Sequence, residues 1–413
     1  MLSGKNRLTL FILIAMVLGI ALGQWVHVTA DESTTKSFVT NIKLLTTIFL
    51  RLVQMIIAPL VFFTLVAGIA KMGDLKALGR VGGKSMLWFV SASLVSLLLG
   101  LLLVNIFEPG VGVNIDTKDT DGMKEILGKT EGFSLKNFIE HLFPKSIVEA
   151  MATNEILQIV VFSIFFGIAL TAFGEKGTPI VKFFDLMGHI MLKIVGYVMW
   201  FAPLGVFGGV AAVFAKQGSS ILLVYGKYMG SFYIGLALLW ILMLAVGYLI
   251  LKKRLVTLLR RIENPLLIAF STTSSEAVFP KLTEELERFG CKDRIVSFVL
   301  PLGYSFNLDG SMMYMTFASI FLAQFYNIPL DLGTQLTMLL VLMLTSKGIA
   351  GVPRASLVVV TATCAMFDIP AEGIALILPI DHFCDMGRSM TNVLGNALAT
   401  SAVSKWEGEL EHS

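Results

Sequence analysis

Long apolar runs constrain this chain more than any other feature. They are Leu8 to Trp25, Leu44 to Ala70, Ser85 to Phe107, Leu157 to Ala172, Phe184 to Ala215, Leu222 to Leu251, Ile295 to Tyr326 and Ile374 to Val403. About 20 apolar residues suffice for a helix to cross a bilayer. The longer runs must tilt or protrude. The first run follows Lys5 and Arg7 and also fits a signal peptide; the many spans behind it favour a first crossing. Only 15% of the 413 residues are charged, against about 25% in soluble domains. The expectation is an all-α, multi-pass membrane protein with eight crossings, not a globular enzyme. A net charge of +3 gives no case for a nucleic-acid partner. Cys291, Cys364 and Cys384 show no metal-ligand spacing and no disulfide framework.

Loop charges set the expected orientation. Lys5 and Arg7, the loop from Lys71 to Lys84, and the basic segment Lys252, Lys253, Arg254, Arg260 and Arg261 should face the cytoplasm. The acidic "DTKDTDGMKEILGKTE", from Asp116 to Glu131, should face out. Both termini then lie inside. Two further segments do not read as crossings. "LLRRIENPLLIAFSTTSSEAVFPKLTEEL" breaks at Ser271 to Glu276, and "LTMLLVLMLTSKGIAGVPRASLVVVTATCAMF" breaks at Thr345 to Ser356. The limbs of the second, Leu336 to Leu344 and Leu357 to Phe367, each cover only ~14–17 Å at 1.5 Å per residue, about half a bilayer. Each segment reads as a re-entrant helical hairpin; the simpler alternative is one interrupted crossing. Two interrupted segments in one chain point to a transporter's binding site.

The remaining spans carry polar residues at bilayer depth. "YSFNLDGSMMYMTF", residues 304–317, places Asn307, Asp309 and Gly310 inside an apolar run. A carboxylate there costs roughly 2.5–3.5 kcal/mol on insertion scales. Gly310 is expected to break the helix, so that Asn307 and Asp309 offer oxygens to a cation; a protonated Asp309 at a hydrogen-bonded kink is the plainer reading. In "DHFCDMGRSMTNVLGNAL", Asp381, Asp385, Arg388, Ser389, Asn392 and Asn396 fall within an arc of roughly 100° on one helix face. A structural ion pair of Asp381 or Asp385 with Arg388 would account for part of that face. A binding face accounts for all six positions, since Arg388 can grip a carboxylate and Asp385 an ammonium. The tip "STTSSEAVFP" offers hydroxyls and helix-end N–H groups that suit an anion. The tip "TSKGIAGVP" offers unwound carbonyls that suit a small cation. "GGKS", from Gly82 to Ser85, fails as a phosphate loop because Leu78 stands where its first glycine is required.

Four of these stretches, in order, resemble motifs of the glutamate transporter family, the sodium- or proton-coupled symporters of dicarboxylates and amino acids. They are "TTSSEAVFP", "SFNLDGS", "SKGIAGVP" and "DMGRSMTN". The resemblance covers nearly the whole chain and implies eight transmembrane helices plus two hairpins, a homotrimer, and a transport domain that slides like an elevator. Its implied division is scaffold helices one and two at 1–84, transport helix three with an extracellular loop at 85–132, scaffold helices four and five at 133–218 and helix six at 219–254. The first hairpin follows at 255–290, helix seven at 291–330, the second hairpin at 331–370, and helix eight with the tail at 371–413.

Carried over residue by residue, the resemblance implies substrate contacts at Ser275, Ser311, Val352, Asp385, Arg388, Ser389 and Asn392. Because Asp385 and Arg388 are both present, it implies an acidic amino acid, glutamate or aspartate, as the substrate. Cargo of four-carbon dicarboxylates, or of another amino acid such as cystine, is the alternative. Sodium oxygens would come from Gly303, Ser305, Asn307, Asp309, Ser346, Lys347, Ile349, Asn392, Asn396 and Ser93. Three positions depart from the sodium-driven pattern: Asn396 replaces an Asp, Phe89 a Tyr and Ala92 a Thr. Met315 stands where animal members carry a protonated Glu. For proton coupling, Glu276 and His382 are therefore the expected titrating groups, against static roles for both. Arg354, near the second tip, is left without a role. No cofactor is expected beyond co-transported Na⁺ or H⁺, and the expected location, in membrane lipid, is a bacterial inner membrane.

Overall fold

The computed structural model describes residues 4–72, 75–112, 143–218, 225–346, 355–370 and 373–411, and these are helical almost throughout. The acidic stretch 116–131 and the tip 347–354 lie outside the described residues. The first helices are α1 (Gly4–Thr29), α2 (Glu32–Met72) and α3 (Leu75–Phe107). No long loop separates α2 from α3, so the expected cytoplasmic loop from Lys71 to Lys84 is largely the first turns of α3. Lys76, Arg80 and Lys84 ride on that helix. After the short α4 (Ile147–Ala152) come α5 (Ile156–Ala172), α6 (Thr178–Val198) and α7 (Ala202–Gln217). The expected single run Phe184 to Ala215 is instead a bent pair. The axis turns by 53° between α6 and α7, where a 3₁₀ turn at Met199–Phe201 precedes a proline in the first turn of α7. Proline lacks an N–H, which costs nothing in the first turn of a helix, where that donor has no intrahelical partner.

The second half comprises α8 (Gly226–Leu251), α9 (Arg254–Thr272), α10 (Phe279–Phe289), α11 (Asp293–Phe306), α12 (Asp309–Phe325), α13 (Leu332–Thr345), α14 (Ala355–Met366) and α15 (Ile374–Trp406). Helices α9 and α10 form the limbs of the first interrupted segment. Thr273, with φ +55°, ends α9 in the left-handed region, and a 3₁₀ turn at Glu276–Val278 leads into α10. Helices α13 and α14 flank the second interruption, with Asp331 capping α13 by accepting from the Thr334 N–H. That bond holds the Asp331 carboxyl below its ordinary pKa.

Among the described residues, four helices are long and apolar enough to cross a membrane, over Leu10–Thr29, Glu32–Ala70, Lys76–Phe107 and Gly226–Leu251; the bent pair makes a fifth if it is one span. Helix α15 has the length, but its charges break the apolar run. It is instead buried by protein, every residue from Thr391 to Ser404 included. A helix buried on all sides that carries polar groups must find partners for them inside the protein. Helices α1, α5 and α6 pack on α2 or α7, whereas α8, α9, α11 and α12 gather around α15, with α3 against α12. The contacts of α2 with α11 and of α7 with α9 join the two groups.

Past α15 the chain is tied down by charge. The Glu407 carboxylate accepts from Lys84 Nζ (2.6 Å) and Arg80 Nε (2.9 Å). Burial alone would raise its pKa, but hydrogen bonds and charge from Lys84 and Arg80 outweigh that and lower it. A depressed native pKa gives stabilisation that is complete above the ordinary carboxylate range and is lost as pH falls through the lowered value. Arg80 is more than half exposed, so screening limits the pair to about 0.5–1 kcal/mol. Glu407→Gln is expected to lower thermal stability at neutral pH and to flatten its decline below pH ~4.5. An unchanged acid limb, followed by circular dichroism, would count against this ion cluster.

Candidate functional site

The expected helix break near Asp309 exists, but Gly310 does not make it. Pro301 already deprives α11 of one backbone donor. Asn307 and Leu308 then leave helical geometry (ψ 70° and 62°), and α12 restarts at Asp309. Gly310 is the second residue of α12, and its missing side chain serves packing. A Cβ there would lie 2.4 Å from the Arg388 carbonyl oxygen and 2.7 Å from Arg388 Cα. The backbones of α12 and α15 therefore touch where both carry their polar residues.

All six polar positions on the α15 face meet this junction or each other. Asn392 Oδ1 accepts from the N–H groups of Gly310 (2.9 Å) and Ser311 (3.2 Å), and Asn392 Nδ2 donates to Ser311 Oγ (3.0 Å). The N-terminus of α12 is thus satisfied by an amide from α15. Asn307 Nδ2 donates to Asp309 Oδ2 (3.2 Å) and to Asn396 Oδ1 (3.3 Å). Asp309, Asn307 and Asn396 are all buried. Asn307 Oδ1, Asn396 Nδ2 and Ser305 Oγ are buried and have no hydrogen-bond partner among the described residues. Gly303 lies under Asn396, and Ser93 Oγ points to the Phe306 carbonyl at 3.5 Å. Oxygens from four helices, α3, α11, α12 and α15, converge here, a donor set that suits a hard cation.

One helical turn away lies the charged part of the face. Arg388 Nε donates to Asp385 Oδ1 (2.6 Å), which also accepts from Ser389 Oγ (3.0 Å). The structural ion pair expected as an alternative is therefore present, between Asp385 and Arg388. It leaves the guanidinium incompletely used: Arg388 Nη1 is buried with no hydrogen-bond partner among the described residues. Tyr314 braces the group from α12. Its ring centroid lies 5.0 Å from the guanidinium carbon, and its hydroxyl donates to Asp381 Oδ1 (2.7 Å). A cation over a ring face is held by the ring's quadrupole. Sequence reasoning missed Tyr314, because nothing in its own helix marks it and only the placement of α15 brings Arg388 to it.

At the first interruption, the Ser275 carbonyl accepts from Tyr304 Oη (2.9 Å), a second tyrosine that sequence reasoning missed, and Ser274 Oγ accepts from the Ala277 N–H (3.1 Å). Glu276 opens the 3₁₀ turn beside them, half-buried. Ser346 closes α13, with its hydroxyl donating to the Met343 carbonyl (3.0 Å) and lying 3.7 Å from Met312 Sδ on α12. His382 sits about 100° around α15 from Asp381, off the shared face and beside the Phe383 ring. Lys347, Ile349, Val352 and Arg354 lie outside the described residues.

The sequence model of the sodium:dicarboxylate symporter family matches residues 8–406. A C4-dicarboxylate transport protein of Acinetobacter baylyi is 43% identical over 366 residues, 88% of this chain and 82% of that protein. One from Geobacter sp. strain M21 is 42% identical over 404 residues, covering 97% and 90%. One from Bacillus subtilis is 39% identical over 411 residues, covering 99% and 95%.

Proposed function

This chain belongs to the sodium:dicarboxylate symporter family, and on that premise we propose that it is a secondary symporter that couples a sodium gradient to uptake of a four-carbon dicarboxylate. The observation that carries the reading is Arg388: a buried guanidinium, braced by Tyr314 and Asp385, with one terminal nitrogen lacking a hydrogen-bond partner among the described residues. Such a donor suits one substrate carboxylate. Ser311, Ser389, Asn392 and the tip around Ser275, with Val352 from the second tip, would receive the rest of the molecule. Sodium, as co-transported cargo, would be held by oxygens among Ser93, Gly303, Ser305, Asn307, Asp309, Asn392, Asn396, Ser346, Lys347 and Ile349. Asn396 in place of a carboxylate gives that set one negative charge fewer. Eight crossings, two hairpins, a homotrimer with an elevator-like transport domain, and an inner-membrane location with cytoplasmic termini complete the proposal.

The names of the relatives support the dicarboxylate over the acidic amino acid that the sequence led us to expect. Aspartate is kept as the second reading because of Asp385, whose carboxylate could receive an ammonium on the 2-carbon. Proteoliposome uptake of radiolabelled succinate and L-aspartate, with sodium and pH gradients imposed separately, tests both. Sodium-driven succinate uptake that excess aspartate does not inhibit is expected. Aspartate uptake that outcompetes succinate would establish the second reading. Uptake driven by pH alone would shift attention to Glu276, His382 and Asp309.

A further inference from the structure

Between α3 and α8 the surface opens into a cleft of about 380 Å³ whose walls include Leu87, Trp88, Val95, Leu239, Met243 and Ile250. Ala92, Ser96 and Asp309 also line it. The walls run from Leu87 to Ser96 along α3 and from Leu239 to Ile250 along α8. At 1.5 Å per residue these lengths are ~14 and ~17 Å. That is one leaflet of a hydrocarbon core about 30 Å thick. Leu87 is 67% exposed, and Val95, Leu242 and Val246 are each at least 44% exposed. A contiguous apolar groove of this kind marks an interaction surface, and in a membrane-spanning chain hydrocarbon is what meets it.

At one end of the cleft Trp88 and Trp406 pack with ring centroids 5.8 Å apart, the residue type that collects at the headgroup level of a bilayer. Lysines surround that end. Lys84 Nζ donates to the Trp406 carbonyl (3.0 Å) and is matched by Glu407. Lys405 Nζ donates to the carbonyl of Ile250, a wall residue. Lys252 and Lys253, both exposed, follow directly after α8. We propose that this cleft is a binding site for an anionic phospholipid. One acyl chain lies along the groove, and the phosphate headgroup sits against Lys252, Lys253 and Lys405. Charge complementarity selects the lipid class, and the leaflet-long groove selects the chain. The inference rests on the membrane-spanning reading but not on the nature of the transported substrate.

Trp88 and Trp406 provide the test. The full-length protein is placed in phosphatidylcholine nanodiscs doped with phosphatidylglycerol or phosphatidylcholine that carries brominated acyl chains. The fluorescence difference between wild type and W88F/W406F isolates the two reporters. Their quenching should half-saturate at roughly tenfold lower mole fraction of the anionic lipid. The triple variant K252Q/K253Q/K405Q should abolish that preference and leave quenching by phosphatidylcholine unchanged. Identical curves for the two lipids, meaning ordinary annular contact, would overturn the site. So would the absence of quenching at any mole fraction. If the triple variant does not fold, the wild-type difference between the two lipids still decides. Dicarboxylate uptake is not read in this experiment, so its outcome is independent of the transport assay.

Discussion

Arg388→Lys is expected to reduce initial succinate uptake about 100-fold while leaving a folded protein. Lysine keeps the positive charge beside Asp385, so the half-buried carboxylate, whose side chain is 17% exposed, is not stranded. What lysine cannot reproduce is the planar fork. Arg388 spends Nε on Asp385 and holds Nη1 buried with no hydrogen-bond partner among the described residues. One group thus grips Asp385 and presents a second, fixed donor. An ammonium is a point charge on a flexible stem and cannot hold both partners in one plane. Truncating one partner of a buried charged pair costs roughly 2–5 kcal/mol, or about 30- to several-thousand-fold. The retained charge places the expected loss toward the lower part of that range. The measurement is radiolabelled succinate uptake into proteoliposomes under a fixed sodium gradient, with thermal unfolding in detergent as the folding control. Uptake within threefold of wild type, at equal reconstituted protein, would remove Arg388 from the site.

Much of this site was legible in the sequence because helical periodicity is a local rule. Six polar residues at offsets that repeat every turn had to share one face of α15, and in the structure they meet α12, the break before it, or one another. The interruption of the seventh apolar run was legible for a similar reason: Asn307 and Asp309 have no cheap place in an unbroken lipid-facing helix. What could not be read was the identity of the residues opposite. Tyr314 and Tyr304 are ordinary aromatic positions until a second helix brings Arg388 or Ser275 to them. The role of Gly310 was misread for the same reason. A glycine in a span is locally a helix breaker, but its tertiary role as a contact point depends on the Arg388 backbone, 78 positions later in the chain. The loop expected before α3 was misplaced because charge marks a membrane boundary and says nothing about where a helix starts.

Gly395→Ala should then be among the most damaging single-methyl changes in the molecule. Within a helix this substitution ordinarily stabilises by up to ~1 kcal/mol. At position 395 a Cβ would fall 2.0 Å from Asp309 Oδ2 and 3.2 Å from Asn307 Nδ2. A flexible side-chain end could swing away from such a contact. Asp309 has a short stem at the first turn of α12, is fully buried, and accepts from Asn307. Relief therefore requires α12 and α15 to separate, which would also stretch the bonds from Asn392 to Gly310 and Ser311. Overpacking of this kind costs typically 1–3 kcal/mol, enough to reverse the sign of the helix-propensity gain. The same displacement moves the oxygens proposed to hold sodium, so the loss of sodium-driven uptake should exceed what the fall in stability explains. Gly83→Ala, on α3 with nothing within 4 Å of its built Cβ, is the matched control and should be neutral or slightly stabilising. Thermal unfolding of both variants, paired with succinate uptake at graded sodium concentrations, separates the two effects. A stable Gly395→Ala protein with wild-type sodium dependence would mean that α12 and α15 do not hold Asp309 against Gly395 in the working transporter.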